Sequence, residues 1–294
     1  MTSLMALACL AASAARIHPA PVSAEAIMAE AGLHQDCALA ARSAFLYRQK
    51  LLMRMHRGNG RLAREERREY DIAPTSGSFE KHLTSFHGVY TAGPEQIPYD
   101  KPGFQFKGTD IDGPILDSLA NGLTGDSQSR DGFGRDMFPL TTAEQRGYRF
   151  TIKDTEVYQG RKMYRISFEP RRPRPGDDSD PPAWKGEALI DAEKYQPVMV
   201  ETSLATKIPF LVKTLLGTNI QGLGFSVSYR EFAPGVWFPV SYGGEFRVKV
   251  VFVYTRNISI NLENSGFRRT HVDSSIQYAN APDNSPSQFK SQHE

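Results

Sequence analysis

The chain has 294 residues, of which 40% are hydrophobic, 23% are charged and 11% are aromatic, and this length can bury a full core in one or two domains. Its 35 basic and 33 acidic residues nearly balance at a formal charge of +2, which gives no electrostatic reason to expect nucleic acid or a charged membrane as a partner. After residue 20 no apolar run approaches the roughly 18 residues that span a bilayer, so we expect a soluble or peripherally attached chain.

Residues 1–24 have the pattern of a secretory signal peptide. Residues 4–15 are apolar or small, and Ala12-Ser13-Ala14 and Val22-Ser23-Ala24 both offer small residues for cleavage. The usual basic start is missing, so an Ala-rich helical or disordered start is the alternative. Lipid modification of Cys9 is a weaker alternative, because the residues before it match a lipobox poorly. Without the leader Cys37 would be the only cysteine, and no disulfide framework is expected.

A short helix and a long hairpin come next. Ser23 as N-cap and Gly32 as terminator predict a helix over residues 23–33, lying along a sheet edge. Residues 45–72 predict two strands around an Asn-Gly turn. One face of the first strand carries the apolar side chains of Phe45, Tyr47, Leu51, Met53 and Met55. The return strand, LAREERREYDI, is strongly charged, and its mixed signs favour solvated cross-strand ion pairs over a site for an anionic headgroup or RNA.

The middle of the chain predicts helices and loops. Residues 75–88 predict a short helix, and residues 93–108 a loop rich in Gly and Pro. Residues 111–123 predict a helix whose apolar positions include Ile115, Leu116 and Leu119. Asp110 and Asp112 form a carboxylate pair that we expect to be solvated. His82 and His87 are five residues apart, which is a poor spacing for a metal site on a helix.

The second half predicts mostly strands. Two strands between residues 148 and 168 lead to the loop 171–182, whose aspartates we expect to be solvated, and then to a hairpin over residues 184–204. Residues 206–217 predict an apolar helix containing Phe210, Leu211 and Leu215, either as a plug at one end of the core or as a mobile lid. Further strands follow between residues 223 and 276. The tail over residues 280–294 should be disordered.

No motif for catalysis, metal binding or nucleotide binding is present. We therefore expect no cofactor, no metal and no enzymatic activity, although an active site assembled from distant segments remains an alternative. The clearest feature is the apolar strand face of Phe45, Tyr47, Leu51, Met53 and Met55. Methionine adapts to variable apolar shapes, so this face could line a cavity for an acyl chain. The alternative is that it is ordinary core.

Several phrases resemble the LolA/LolB-like superfamily of periplasmic lipoprotein carriers, also known as outer-membrane lipoprotein-sorting proteins. They are the hairpin FLYRQKLLMRMHRGNGRLAREERREY, the strand pair EVYQGRKMYRISFEP, and the segments WKGEALIDAEKYQPVMVE and APGVWFPVSY. The resemblance covers residues 25–276. It implies a mainly β (α+β) fold, a curved antiparallel half-barrel of about nine to ten strands capped by short helices, with a hydrophobic cavity.

The resemblance also implies roles for particular residues. Phe45, Tyr47, Leu51 and Met53 would be cavity wall, to which the strand pattern adds Met55. A lid would be formed by Ile115, Leu116, Leu119, Phe210, Leu211 and Leu215. The ligand would be the acyl chains of a lipid or lipoprotein, with an envelope protein as a further partner and peripheral membrane contact. The chain is longer than a minimal carrier and has inserted loops over residues 93–108 and 171–182.

We therefore expect a signal peptide over residues 1–24, a single half-barrel domain over residues 25–279, and a tail over residues 280–294. The protein would be exported to the periplasm or associated with the outer membrane. Two alternatives remain: a non-catalytic envelope scaffold or sensor with a filled core, and a hydrolase on the same scaffold. A carrier should show an apolar cavity, whereas an enzyme should show convergent titratable groups.

Overall fold

One antiparallel β-sheet dominates the computed structural model, which describes residues 23–75, 79–107, 110–124, 131–132, 137–172, 184–205, 219–250 and 254–270. Within these ranges the sheet has twelve strands. They are β1 Phe45–Arg57, β2 Leu62–Pro74, β3 Phe79–Ala92, β4 Glu95–Tyr99, β5 Tyr148–Tyr158, β6 Arg161–Pro170, β7 Trp184–Asp191, β8 Pro197–Leu204, β9 Asn219–Gln221, β10 Gly224–Ala233, β11 Val236–Val250 and β12 Tyr254–Arg269.

The sheet is open, with two separate edges. Its order is β4-β3-β2-β1-β12-β11-β10-β8-β7-β6-β5, and the short β9 pairs with β11. The edge strands β4 and β5 do not pair with each other, and helices cover the inner face, on which Leu51, Met53 and Met55 lie. This confirms the predicted class, a mainly β, curved antiparallel half-barrel capped by helices.

The strand number exceeds the predicted nine to ten because the sequence analysis missed β3 and β4. The helix predicted over residues 75–88 is wrong: β3 pairs with β2 from Arg64↔Tyr90 to Pro74↔Phe79. Aromatic and β-branched side chains in FEKHLTSFHGVYTA suit a pleated surface, and the long hydrogen-bonded partner strand overrides the weak helical pattern. Part of the predicted loop over residues 93–108 forms β4, which pairs with β3.

Helix α1, Ala24–Arg42, begins as predicted but is longer. The Ser23 Oγ accepts a hydrogen bond from Ala26 N at 3.1 Å, which caps the first turn. Gly32 does not end the helix, which continues to Arg42. A Cβ at Gly32 would lie 2.9 Å from Gln145 Nε2, so the glycine allows that amide to pack closely. The helix packs against the edge strand β5, as predicted, but it also packs against the interior strand β11 and contributes Ile27 and Met28 to the core, so it covers the inner face as well.

Helix α2, Asp112–Thr124, matches the helix predicted over residues 111–123. A short 3-10 helix, Glu144–Gly147, precedes β5. The helix predicted over residues 206–217 and the aspartates of the predicted 171–182 loop lie outside the described residues. Among the described residues, no helix has both the length and the apolar character needed to cross a membrane. Cys37 lies in α1 and is disulfide-bonded. The expectation that it stands alone concerns a chain without residues 1–24 and stays a prediction.

Two apolar clusters lie on the inner face. The main cluster joins α1 and α2 to strands along most of the sheet, and includes Leu51, Leu116, Phe168, Trp184 and Val248. A smaller cluster of Phe45, Tyr47, Ile72 and Phe238 lies where β1 and β11 begin. The candidate functional site is built from the main cluster and the helix α2 that covers it.

Candidate functional site

The inner face of β1 forms an apolar wall with its neighbour β12. Leu51, Met53 and Met55 lie directly opposite residues of β12 in the pairs Leu51↔Leu262, Met53↔Ile260 and Met55↔Ile258. Facing residues of an antiparallel pair share one face of the sheet, so these six side chains form a continuous apolar surface. All six are at most 3% exposed. Protein side chains therefore cover this wall.

The other two predicted wall residues belong to a different environment. Phe45 and Tyr47 lie in the smaller cluster, separated from Leu51 by polar contacts. The Tyr47 hydroxyl donates to Asp131 Oδ1 at 2.8 Å, and Arg42 Nε donates to Asp131 Oδ2 at 2.9 Å. The next inward residue, Gln49, donates through Nε2 to Asn264 Oδ1 at 3.1 Å. The five predicted wall residues are thus divided into a group of three and a group of two.

The predicted lid residues fall into two sets. Ile115, Leu116 and Leu119 lie on α2 and are 8%, 0% and 2% exposed within the main cluster. Phe210, Leu211 and Leu215 lie outside the described residues. The described part of the predicted lid is therefore a single helix whose apolar side covers the core.

Buried charges on β2 are the part of the site that the sequence analysis missed. Arg64, Glu66 and Arg68 lie opposite Met55, Met53 and Leu51 respectively, so they point inward. They are at most 3% exposed. The prediction of solvated pairs holds only for the outward-facing residues, such as Arg54 and Glu65, which pair at 2.7 Å with side chains 42% and 16% exposed.

Three arginines of the sheet bind three aspartates at α2. Arg64 pairs with Asp110, Arg68 pairs with Asp117, and Arg256 Nε donates to Asp112 Oδ1 at 2.9 Å. A second nitrogen of Arg256 donates to Asp112 Oδ2 at 3.2 Å, which makes this contact bidentate. These pairs join α2 to β2 and β12. Asp110 and Asp112 are therefore not the solvated carboxylates that we expected.

Asp110 also organises the start of α2. Its Oδ1 accepts hydrogen bonds from Asp112 N at 3.0 Å and Gly113 N at 3.4 Å, and its Oδ2 accepts from Phe106 N at 3.0 Å. A carboxylate in this position satisfies backbone donors that have no partner within the helix and opposes the positive end of the helix dipole. Because Arg64 binds the same carboxylate, the helix start is fixed relative to β2.

Aromatic rings enclose the guanidinium of Arg64. Its carbon lies 5.3 Å from the ring centre of Tyr90, 5.1 Å from that of Tyr99 and 5.6 Å from that of Phe104. Arg64 Nη1 donates to the Tyr99 hydroxyl at 3.2 Å and to Phe104 O at 3.0 Å. Such rings attract a cation while they exclude water from it. This arginine therefore has a prearranged set of partners.

The Tyr99 hydroxyl connects this cage to Glu66, to which it donates a hydrogen bond at 2.7 Å. Burial and the neighbouring Glu66 carboxylate raise the pKa of Tyr99, so the phenol stays protonated as a donor. Burial acts to lower the pKa of Arg68, but the Glu66 carboxylate outweighs it and raises that pKa. The hydrogen bonds of this network therefore join ionised arginine to carboxylate across β2, β4 and α2.

Gly88 provides the space that Tyr99 needs. It lies on β3 between its cross-strand neighbours Glu66 and Tyr99, and the Tyr99 ring passes over it to reach Glu66. We expect Gly88→Ala to lower the free energy of unfolding by about 3 kcal/mol, because its Cβ would lie 2.2 Å from ring atoms of Tyr99. Urea denaturation followed by circular dichroism measures this.

Gly243→Ala is the matched control for this substitution. Gly243 is also in a strand, but a Cβ there would meet its nearest neighbour, Ser226 Oγ, at 3.6 Å, which is ordinary contact. We expect little change for that variant. Equal losses for the two variants would show that strand preference, and not the position of Tyr99, sets the cost.

The charged groups at this site pair with one another. The carboxylates at α2 are each bound by an arginine, and His82 and His87 are exposed on β3. In the described part of the chain, no group of three or more His, Cys, Asp or Glu residues is placed to hold a metal ion. What the site combines is a buried apolar wall and a covering helix attached by ion pairs.

No family model and no curated protein match the chain. Several solved structures are similar to it. A LolA superfamily protein from Nitrosomonas europaea is 9% identical, over 85% of this chain and 95% of its own, with a TM-score of 0.33. A DUF1329 family protein from Desulfovibrio piger is 10% identical, over 86% of this chain and 95% of its own, with a TM-score of 0.38.

An outer membrane lipoprotein-sorting protein domain from Vibrio parahaemolyticus is 12% identical, over 84% of this chain and 95% of its own, with a TM-score of 0.37. Two of these three structures carry names from the superfamily that the sequence resembles. Similarity at this level supports no conclusion about function, so the function must be inferred from the residues of this chain.

Proposed function

We propose that this protein is a non-catalytic carrier that binds the acyl chains of a lipid or lipoprotein between the apolar wall and helix α2. The wall is the set Leu51, Met53, Met55, Ile258, Ile260 and Leu262, and Ile115, Leu116 and Leu119 of α2 belong to the same apolar cluster. The predicted leader favours a periplasmic or outer-membrane-associated protein. Phe45 and Tyr47 would line one end of the site.

The observation that carries the proposal is the way α2 is held. Its apolar side chains lie in the main cluster, but its specific attachments are ion pairs from Arg64, Arg68 and Arg256. If α2 moves away as a unit, an acyl chain can replace its apolar contacts, because apolar burial is not directional. The ion pairs then define the closed position to which the helix returns.

A filled core supports the alternative, a scaffold or sensor module. Met53 and Met55 are 0% exposed, and the inner face is packed by protein side chains. A carrier without cargo must also cover its apolar wall, so packing alone does not separate the two functions. Measured uptake of a ligand would separate them.

The test uses the full chain purified from a bacterial envelope. We expect native mass spectrometry to show an adduct that organic extraction identifies as an acyl lipid, and we expect the delipidated protein to take up a fluorescent fatty-acyl probe. Methionine-lined apolar surfaces accept chains of varied shape, so several chain lengths should bind. A clean apo mass together with no probe uptake would instead establish a scaffold with a filled core.

A further inference from the structure

An exposed aromatic side chain marks one end of the half-barrel. Phe232, in the β10–β11 hairpin, is 50% exposed. Its ring centre lies 5.5 Å from that of Phe267, 5.9 Å from that of Phe45 and 6.2 Å from that of Phe238. Val236 and Ala44 are partly buried against the same cluster. We call Phe232, Phe267, Val236 and Ala44 the rim patch.

The rim patch lies where four neighbouring strands begin or end. β10 ends and β11 begins beside Phe232, while β12 ends and β1 begins beside Phe267 and Ala44. Because antiparallel strands place these ends on one side of the sheet, a flat surface can approach all of them together. An exposed apolar patch with a polar border marks an interaction surface more often than a single scattered residue does.

Three exposed arginines border the rim patch. Arg268 and Arg269, at the end of β12, lie opposite Leu46 and Phe45 of β1. Arg230, on β10, lies opposite Phe238 of β11. No ion pair is recorded for these three among the described residues, whereas other exposed arginines of the sheet, such as Arg149 with Glu169, are paired. Glu231, the carboxylate that follows Arg230 in sequence, is bound by Lys194. The patch is therefore locally basic although the whole chain is nearly neutral.

We propose that the rim patch docks the protein on an anionic lipid bilayer. Phe232 would enter the boundary between headgroups and acyl chains, while Arg230, Arg268 and Arg269 contact lipid phosphates. A half-exposed ring that projects from a hairpin suits a deformable lipid interface. The exposed arginines, which form no ion pair with another described residue, complement its negative charge.

This docking role rests on the proposed carrier function, because docking would bring the apolar wall to the membrane that supplies or receives acyl chains. Vesicle binding and probe uptake are nevertheless separate measurements. Loss of vesicle binding in a variant that still takes up probe in vesicle-free solution concerns only the patch. Loss of probe uptake in a protein that still binds vesicles concerns only the carrier function.

The experiment is co-sedimentation of the full chain with vesicles of phosphatidylcholine, alone or with phosphatidylglycerol at about one part in three. We expect binding to the anionic vesicles only, and weaker binding as salt is raised, because ions screen exposed charges. Arg269→Glu should weaken binding by at least about fivefold. Phe232→Ser should weaken it by about tenfold through lost apolar contact.

Two matched controls keep this test specific. Arg149→Glu makes the same charge change at the edge strand β5, and Val157→Ser removes an apolar side chain there that is 75% exposed. Both should bind vesicles like the unaltered protein. The proposal is overturned if the unaltered protein does not bind anionic vesicles, or if it binds poly-glutamate through the patch and does not bind vesicles. It is also overturned if Arg149→Glu weakens vesicle binding as much as Arg269→Glu does.

Discussion

Replacing Arg64 with methionine should cost about 3 kcal/mol of folding free energy and loosen both β4 and α2. The side chain is 0% exposed, and it binds Asp110, the Tyr99 hydroxyl and Phe104 O. Removing one partner of a buried ion pair leaves the other charge without compensation, which costs roughly 3–5 kcal/mol. We expect the lower end, because Asp110 keeps three backbone donors. Urea denaturation measures the loss, and hydrogen exchange should show it in α2 and β4.

The neighbouring Arg67 supplies the control for this prediction. Its side chain points outward, is 61% exposed and pairs with Glu65 at 2.8 Å. Arg67→Met should cost between 0 and about 1 kcal/mol, as is usual for exposed pairs. Adding Asp110→Asn to Arg64→Met should cost less than the sum of the two single changes, because the second change removes the uncompensated charge. Equal costs for Arg64→Met and Arg67→Met would mean that Arg64 is hydrated.

Replacing Arg256 with glutamine should speed the uptake of an acyl probe by at least about tenfold. Asp112 has a side chain 5% exposed and depends on the bidentate contact with Arg256. In the closed position the substitution leaves this carboxylate buried and poorly paired, whereas in an open position water would hydrate it. The cost therefore falls on the closed state alone, and the population of the open state rises. Stopped-flow fluorescence with the delipidated protein measures the rate.

Arg247→Gln is the matched control for that experiment. Arg247 lies on β11, one residue from the partner of Arg256 in the sheet, and its Nε donates to Asn257 Oδ1 at 2.9 Å on an exposed surface. Uptake by this variant should be unchanged. If Arg256→Gln lowers stability but leaves the uptake rate at the control value, α2 is a fixed part of the core and not a lid.

The inward-facing charges of β2 show where sequence reasoning was limited. Along Arg64-Glu65-Glu66-Arg67-Arg68-Glu69 both faces of the strand are charged, so alternation does not reveal which face is buried. Alternation did work for β1, where only one face is apolar. The missing information was the hairpin register: once Met53 points inward, its partner Glu66 must point inward too. The turn alone does not set this register, because a bulge between Met55 and His56 shifts the pairing of the two strands.

Other differences have longer-range causes. The contact between Tyr99 and Glu66 could not be predicted from the sequence, because it depends on how three strands pair. The Tyr99 ring reaches Glu66 by passing over Gly88 on the strand between them. Similarly, α1 looks weakly amphipathic and was expected at an edge, whereas its Ile27 and Met28 lie in the main cluster. The apolar residues of α2 were predictable, because their helical spacing is regular.

The pairing of β1 with β12 has a consequence for the time at which the protein can fold. Hydrogen bonds from Phe45↔Arg269 to Arg57↔Arg256 join the two halves of the sheet across some two hundred residues of chain. The chain must lose the entropy of closing this large loop before the strand pairing can stabilise it. We therefore expect slow folding, on the scale of milliseconds to seconds. Until the ribosome has released β12, the apolar wall has no neighbour on one side. We therefore expect the half-barrel to be completed only after β12 has been synthesised.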